Sequence, residues 1–307
     1  GKLKEVEAAL TDVHIDAITQ LCARTKEPVA LIGFHGQTIK HAPKQGITQQ
    51  IGDVRRLAKT VGIPAIFDFR SNDVRHGGQG APLVPLFHAV LARQLEKPAM
   101  VINIGGVANV TWIGREHAAP RPSAQTEEAI FAFDCGPGNA LIDDWVGQHS
   151  NERYDKEGRL GSHGKTDAKA MAKFLNDPFF AASAPKSLDR HHFNLDMVEG
   201  LSKEDGAATL TAMTAGAIAK ACELVPEKPK RLLIAGGGRH NPTLMAMISS
   251  YAQIPAVPVE EVNWYGDMLE AQAFAYLAAR SFQGLALSLP TTTGVTRPVT
   301  GGVFYPA

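Results

Sequence analysis

Apolar positions recur at helical spacing over residues 1–25, where Val6, Ala9, Leu10, Val13, Ile15, Ile18 and Leu21 predict a helix. The period then shortens. Residues 29–33 form an apolar run that predicts a buried strand, ending on a polar loop of His35, Gly36, Gln37 and Thr38. A second strand over 65–67 delivers the stretch 68–73, which carries Arg70 and Asp73. A flexible glycine stretch over 77–80 and a helix over 82–96 follow. From residue 100 the pattern restarts. Strands are predicted over 100–103 and 107–111, and Gly105-Gly106 between them is a hairpin signal. Residues 115–129, rich in Ala, Pro, Ser and Glu, read as a loop. Another strand, 130–133, runs through residues 134–139 into a helix over 140–148. Further helices are expected near 166–176, 208–225 and 267–282, and a strand over 231–235 runs into Gly236-Gly237-Gly238. Strands alternating with helices predict an α/β fold. The boundary between two lobes is placed near Lys97-Pro98, dividing the chain into 1–98 and 99–307.

Length agrees with two domains, since 307 residues are met at about 150 per domain. Hydrophobic residues make up 44%, the level of a soluble globular protein. The 31 basic and 31 acidic residues cancel, so the overall charge offers no grip on nucleic acid, and none is expected as a partner. No apolar run reaches the ~18 residues of a membrane span, and no membrane partner is expected. The first residues carry no apolar signal region. Cys22, Cys135 and Cys222 are far apart and form no CxxC pair, which predicts reduced thiols in a cytoplasmic protein. The histidines, His191-His192 included, lack metal-ligand spacing, so no metal held by the protein's own side chains is expected.

Candidate chemistry concentrates in three glycine-rich turns after predicted strands. They hold Asn103, Gly105, Gly106 and Asn109; then Gly136, Gly138 and Asn139; then Gly236, Gly237, Gly238 and Asn241. Glycine allows close backbone approach, and its N–H groups can cradle an anion. The second turn opens a helix, whose N-terminus favours negative charge. Each turn taken alone can also be a tight turn and nothing more. Asp134, at a strand end beside glycines, can take a proton from a hydroxyl or water, or serve as a helix cap. His35, Gln37, Arg70 and Asp73 follow strands of the first lobe and suit a polyhydroxylated ligand bearing a carboxylate, because arginine can grip a carboxylate with two parallel bonds. A buried hydrogen-bonded His35 and an Arg70–Asp73 ion pair are the plainer alternatives.

Several segments together carry a resemblance. GFHGQTIKH (33–41), QIGD (50–53), FDFRSNDVRHGGQGAPLVP (67–85), INIGGVANVT (102–111), FDCGPGNALID (133–143), APKSLDR (184–190), AGGGRHNPTLM (235–245) and EAQAFAYLA (270–278) occur in that order. The chain resembles the anhydro-N-acetylmuramic acid kinases from about residue 10 to the closing LPTTTGVTRPVTGG (289–302). The resemblance implies a two-lobed fold of the actin/hexokinase/Hsp70 type, ribonuclease H-like, with the lobes around a cleft. It implies ATP-dependent conversion of 1,6-anhydro-N-acetylmuramic acid to N-acetylmuramic acid 6-phosphate in peptidoglycan recycling, with Mg²⁺ accompanying ATP, by a homodimer. Asp134 matches the base that activates water. His35, Gln37, Arg70 and Asp73 match the sugar side, and the glycine turns match the nucleotide side. Cys135 stands where the family has Thr. The family's N-terminal GTSxDGxD loop is not found, so the resemblance implies that the first lobe is incomplete in this chain. A non-catalytic relative that binds amino sugar or nucleotide is the alternative. A chaperone or filament protein of the same superfamily has no use for a sugar-side loop.

Overall fold

The computed structural model describes residues 1–115 and 129–307. The loop read over 115–129 lies outside the described residues except at its two ends. In chain order the elements begin with α1 (Lys2–Arg24), β1 (Ile32–Gly33), β2 (Gln37–Ala42), β3 (Ile47–Ile51), α2 (Val54–Val61), β4 (Ala65–Phe67), α3 (Ser71–Arg75) and α4 (Pro85–Leu91). Next come β5 (Ala99–Ile104), β6 (Val107–Gly114), β7 (Ala129–Pro137), α5 (Ala140–His149), α6 (Arg159–Ser162), α7 (Ala168–Leu175), α8 (Pro178–Ala181) and α9 (Lys203–Leu224). The chain closes with β8 (Leu232–Ala235), α10 (Pro242–Ala252), β9 (Ala256–Pro258), α11 (Leu269–Phe282), α12 (Pro290–Thr293) and β10 (Val303–Tyr305). The α/β class is the one expected. Among the described residues no helix is long and apolar enough to cross a membrane.

The chain forms two compact units. One comprises Gly1–Phe87 and Glu270–Ala307, and the other holds the described residues of 88–269. This corrects the division expected at 97–99, with the tail in the second lobe. The tail belongs to the first unit for a physical reason. Phe274, Leu277 and Ala278 of α11 are buried against Ile66, Phe69 and Leu83, and β10 pairs antiparallel with β4.

In the first unit β4 is central, parallel to β1 and flanked by β10. Ile32, Phe34, Val54, Leu57, Ala58 and Ala65 close a second cluster under α2. The expected polar loop after β1 is corrected. Of its four residues only His35 and Gly36 are loop, and Gln37 begins a two-stranded hairpin of β2 and β3. The glycine stretch expected to be flexible is tied down. Gly80 N–H donates to Asp73 Oδ1 at 2.6 Å, and Gln79 N–H to Thr293 O at 2.8 Å.

In the second unit the sheet runs β7-β6-β5-β8-β9. Strands β5, β8 and β9 are parallel, and β6 is antiparallel to both its neighbours, the ribonuclease H-like arrangement that the resemblance implies. The hairpin at Gly105-Gly106 is as expected, with Asn103 opposite Asn109. Met100, Ile102, Ile104, Val110 and Phe133 face Ala215 and Ile218 of α9 and Leu244 and Ile248 of α10 in one core. The other flank of α9, with Leu210, Met213 and Ala217, packs on Leu141, Trp145, Phe174 and Phe180 in another. A helix sandwiched in this way is apolar all round, which explains its run of small Ala, Gly and Thr residues.

Candidate active site

Strand direction brings three of the predicted turns to one end of the second unit's sheet. Strands β5, β7 and β8 all point the same way, so the Gly105-Gly106 hairpin, Gly138-Asn139 and the Gly236–Gly238 turn follow their C-terminal ends, where open α/β sheets bind ligands, while residues 134–137, expected in the second turn, are corrected to the last residues of β7. Backbone bonds lock the first two together. Gly138 N–H donates to Gly106 O at 2.9 Å and Asn139 N–H to Gly105 O at 2.7 Å. Asn139 Nδ2 donates to Ile104 O at 3.0 Å, and the Thr214 hydroxyl to Gly138 O at 3.0 Å. At two places in these turns a backbone oxygen makes glycine necessary. A Cβ on Gly138 would overlap the carbonyl oxygen of Gly105, and Gly236 has φ 74° with Ile104 O only 2.6 Å from where a Cβ would stand.

A polar row crosses the sheet. Asp134 lies opposite Asn109, and Asn109 opposite Asn103, all on the face away from the α9 core. The Asp134 carboxylate is half-buried and its direction is set, because Leu188 N–H donates to Oδ2 at 2.8 Å while Asp134 N–H donates to Lys186 O at 2.9 Å. Cys135 points the other way, buried in the core with Sγ 3.3 Å from Ala108 O, and burial pushes its thiol well above the usual range. The cysteine that replaces the expected threonine therefore leaves the polar face unchanged.

Beside these turns lies a hollow lined by Asn139, Ile142, Asp143, Tyr154, Gly237 and His240, among others. Gly237 opens onto it, and the nearest atom to a Cβ there is Asn139 Nδ2 at 3.6 Å. Asn241 also lines the hollow, while its Oδ1 caps α10 by accepting Leu244 N–H at 2.9 Å. Gly136 has a different duty from the cradle expected of it. It is buried, and a Cβ would strike Ala217 of α9, so the glycine serves helix packing. Asp143 escaped the sequence reading. Burial, and then the neighbouring Asp144, push its carboxyl up to about 6.

The first unit gathers its own set. A hollow there is lined by His14, His35, Gln37, Thr38, Glu270 and Phe274, among others. Glu270 and Phe274 were not singled out, because α11 reaches this place from the far end of the chain. Arg70 is oriented by two bonds, Nε to His35 Nε2 at 2.9 Å and Nη1 to Gly80 O at 2.6 Å. His35 therefore accepts at Nε2 and carries its proton on Nδ1, 2.8 Å from Gly36 O. Both ring nitrogens are engaged within the protein, so His35 aims Arg70. Asp73 is only 2% exposed, and its oxygens accept from Gly80 N–H and from the Thr293 hydroxyl at 2.6 Å each. This carboxylate is a tie holding the loop behind Arg70. The ion pair with Arg70 weighed from sequence is not the contact the structure gives it. Gln37 is exposed.

Burial, reinforced by the Arg70 charge, lowers His35 to about 4, and burial alone lowers His88 to about 4, where it bonds Thr111 Oγ1 at 3.0 Å. The unfolded chain protonates these rings near pH 6.5, before the folded protein does. Their contribution to stability is complete above 6.5 and is lost as pH falls from 6.5 towards 4. Urea unfolding between pH 7.5 and 5 should show a shallower fall in midpoint for His88→Gln than for the parent protein. Parallel pH profiles would contradict this.

A family model described as anhydro-N-acetylmuramic acid kinase matches residues 1–307. An anhydro-N-acetylmuramic acid kinase from Rhizorhabdus wittichii is 48% identical over 307 residues, covering 99% of this chain and 81% of the relative. One from Rhodospirillum rubrum is 47% identical, with 100% and 79% covered. Among solved structures, xylulose kinase from Bifidobacterium adolescentis aligns at 14% identity and TM-score 0.42, covering 71% of this chain and 42% of that one. A ROK family glucokinase from Streptomyces griseus aligns at 13% identity and TM-score 0.38, covering 87% of each. With the family model spanning every residue and close relatives matching nearly the whole chain, this protein belongs to the anhydro-N-acetylmuramic acid kinase family.

Proposed function

We propose that the protein is an ATP-dependent kinase that opens the ring of 1,6-anhydro-N-acetylmuramic acid and phosphorylates O6, giving N-acetylmuramic acid 6-phosphate for peptidoglycan recycling. The observation that carries this reading is the placement of Asp134. In a chain of this family, its carboxylate stands at the C-terminal end of β7, aimed by Leu188 N–H, on the sheet end that also bears the glycine turns.

In this reading Asp134 takes a proton from water as the water oxygen bonds to the anomeric carbon. The bond from that carbon to O6 breaks, and O6 bonds to the γ-phosphorus as the bond from that phosphorus to the bridging oxygen breaks and ADP leaves. Water is a poor nucleophile and an alkoxide a poor leaving group, so a base on one side and a phosphoryl acceptor on the other help each other. Backbone N–H groups of the Gly105-Gly106 and Gly236–Gly238 turns would hold phosphate oxygens, whereas those of Gly138 and Asn139, expected on the nucleotide side, and of Ala140 are already given to the Gly105 and Gly106 carbonyls. The hollow beside Gly237 would take the rest of the nucleotide. Mg²⁺ would offset phosphate charge. One carboxylate and the amides of Asn103 and Asn109 suit an ion that draws most of its ligands from phosphate and water, and among the described residues no cluster of three or more His, Cys, Asp or Glu offers a fuller cage. A cytoplasmic homodimer is part of the same reading.

On the sugar side, Arg70 would grip the lactyl carboxylate, with His35 and Asp73 fixing its direction and Gln37 offering an exposed amide. Lysine cannot reproduce the guanidinium fork. Arg70→Lys should therefore weaken the muramic sugar by about tenfold or more, the worth of a charge-assisted bond, and a glucosamine analogue lacking the lactyl group far less. Equal losses for the two sugars would contradict the assignment. The overall activity is tested by mass spectrometry of the sugar after incubation with ATP. The expected product has gained one water and one phosphoryl group. Sugar returned unchanged by a folded, ATP-binding protein would overturn the reading.

A further inference from the structure

Lys186 sits in the irregular stretch that follows α8. Its Nζ donates to Phe179 O at 2.6 Å and Ala182 O at 3.1 Å, with Phe180 O at 3.5 Å, and lies 4.4 Å above the centre of the Phe179 ring. These carbonyls end a helix of four residues, and a cation suits the carbonyl oxygens of a helix C-terminus well. The helix itself is firm, because Phe180 packs against Phe174 and Phe193 in the buried aromatic cluster. The ammonium thus ties a segment without regular structure to a rigid support.

The backbone of the same segment brackets Asp134. Lys186 O accepts Asp134 N–H at 2.9 Å, and two residues on, Leu188 N–H donates to Asp134 Oδ2 at 2.8 Å. The direction of the carboxylate is therefore set by residues 186–188, and the place of residues 186–188 by the lysine head group. We infer that Lys186 is a positioning residue for Asp134, acting through the 186–188 backbone. This rests on the reading of Asp134 as the base. A displacement of about 1 Å at a reacting group can cost on the order of 10²-fold in rate, so loosening the anchor should be felt in turnover.

The test is a set of variants in the full-length protein, read by kcat and by KM for each substrate. Lys186→Met keeps the apolar stem over Phe179 and removes the donor. It should lower kcat by about 10- to 100-fold while both KM values stay within about threefold. Lys186→Gln should fall between, and Lys186→Arg should restore most of the turnover. On an Asp134→Asn background, Lys186→Met should add less than about threefold, because the group it positions no longer acts. A folded Lys186→Met with near-parental kcat would overturn the proposal, as would a full additional loss on the Asp134→Asn background. So would a raised KM for ATP or sugar, which would make the lysine a ligand contact. Failure of both Met and Gln variants to fold would make it a purely structural residue and overturn the proposal too. Asp134→Asn is measured alone as well. Normal turnover there removes the base itself, whereas an impaired Asp134→Asn beside an unaffected Lys186→Met removes only the positioning role.

Discussion

Asp134→Asn should lower turnover by about 10²–10⁴-fold, the usual contribution of a positioned general base. The substitution suits the site. An asparagine side-chain oxygen can still accept Leu188 N–H, the bond Asp134 Oδ2 makes at 2.8 Å, so shape and backbone pairing survive while basicity is lost. Alanine would be less informative, because it would strand that N–H and cost stability of its own. KM for sugar and ATP should change little, since the lost interaction belongs to the transition state. Steady-state kinetics on the folded variant check this. Near-normal turnover would make Asp134 a turn residue, and unchanged turnover with weaker ATP binding would move it to the nucleotide side.

Gly138→Ala should unsettle the second unit and abolish ATP binding, although it adds one methyl group. That methyl would overlap Gly105 O, and Val107 C would lie 3.1 Å away, so every atom in its path is backbone and cannot rotate aside. The two turns would have to separate, breaking the bonds from Gly138 N–H to Gly106 O and from Asn139 N–H to Gly105 O. Two such bonds at about 1 kcal/mol each set a floor of about 2 kcal/mol, before strain is added. Gly237→Val is the contrasting case. Its side chain enters open space towards Asn139 Nδ2, so the protein should fold normally and lose ATP affinity alone. Thermal unfolding with calorimetry separates the two. Equal stability and equal ATP affinity of Gly138→Ala and the parent would refute the locked-turn account.

The sheet end with its turns was legible because its signals are local. Apolar runs flank Gly105-Gly106, and a strand runs directly through Asp134 into a helix. The hairpin of β2 and β3 was not, since residues 37–51 are largely polar on either face and leave no alternation to read. The return of the tail was hidden for another reason. Three residues of β10 pair with β4, and Thr293 bonds Asp73 across 220 positions of sequence. Pairing at such separation leaves no local pattern. It also explains why Asp73 reads from sequence as a ligand residue and stands in the structure as a tie. Gly136 misled in the same way, because a glycine required by a helix packed 81 residues on looks the same in sequence as one required by a phosphate. Lys186 and Leu188 lie in the APKSLDR segment (184–190), yet their grip on Asp134 depends on a backbone path that no spacing rule describes.

In the proposed function, ring opening by water and phosphorylation of O6 form one coupled reaction. It is tested most directly by a single turnover in ¹⁸O-labelled water with ATP and the anhydro sugar, the product being analysed by mass spectrometry. One ¹⁸O is expected at the anomeric carbon, none in the phosphoryl group, and one ADP released for each sugar converted. Label in inorganic phosphate, or ADP formed without ring opening, would contradict it.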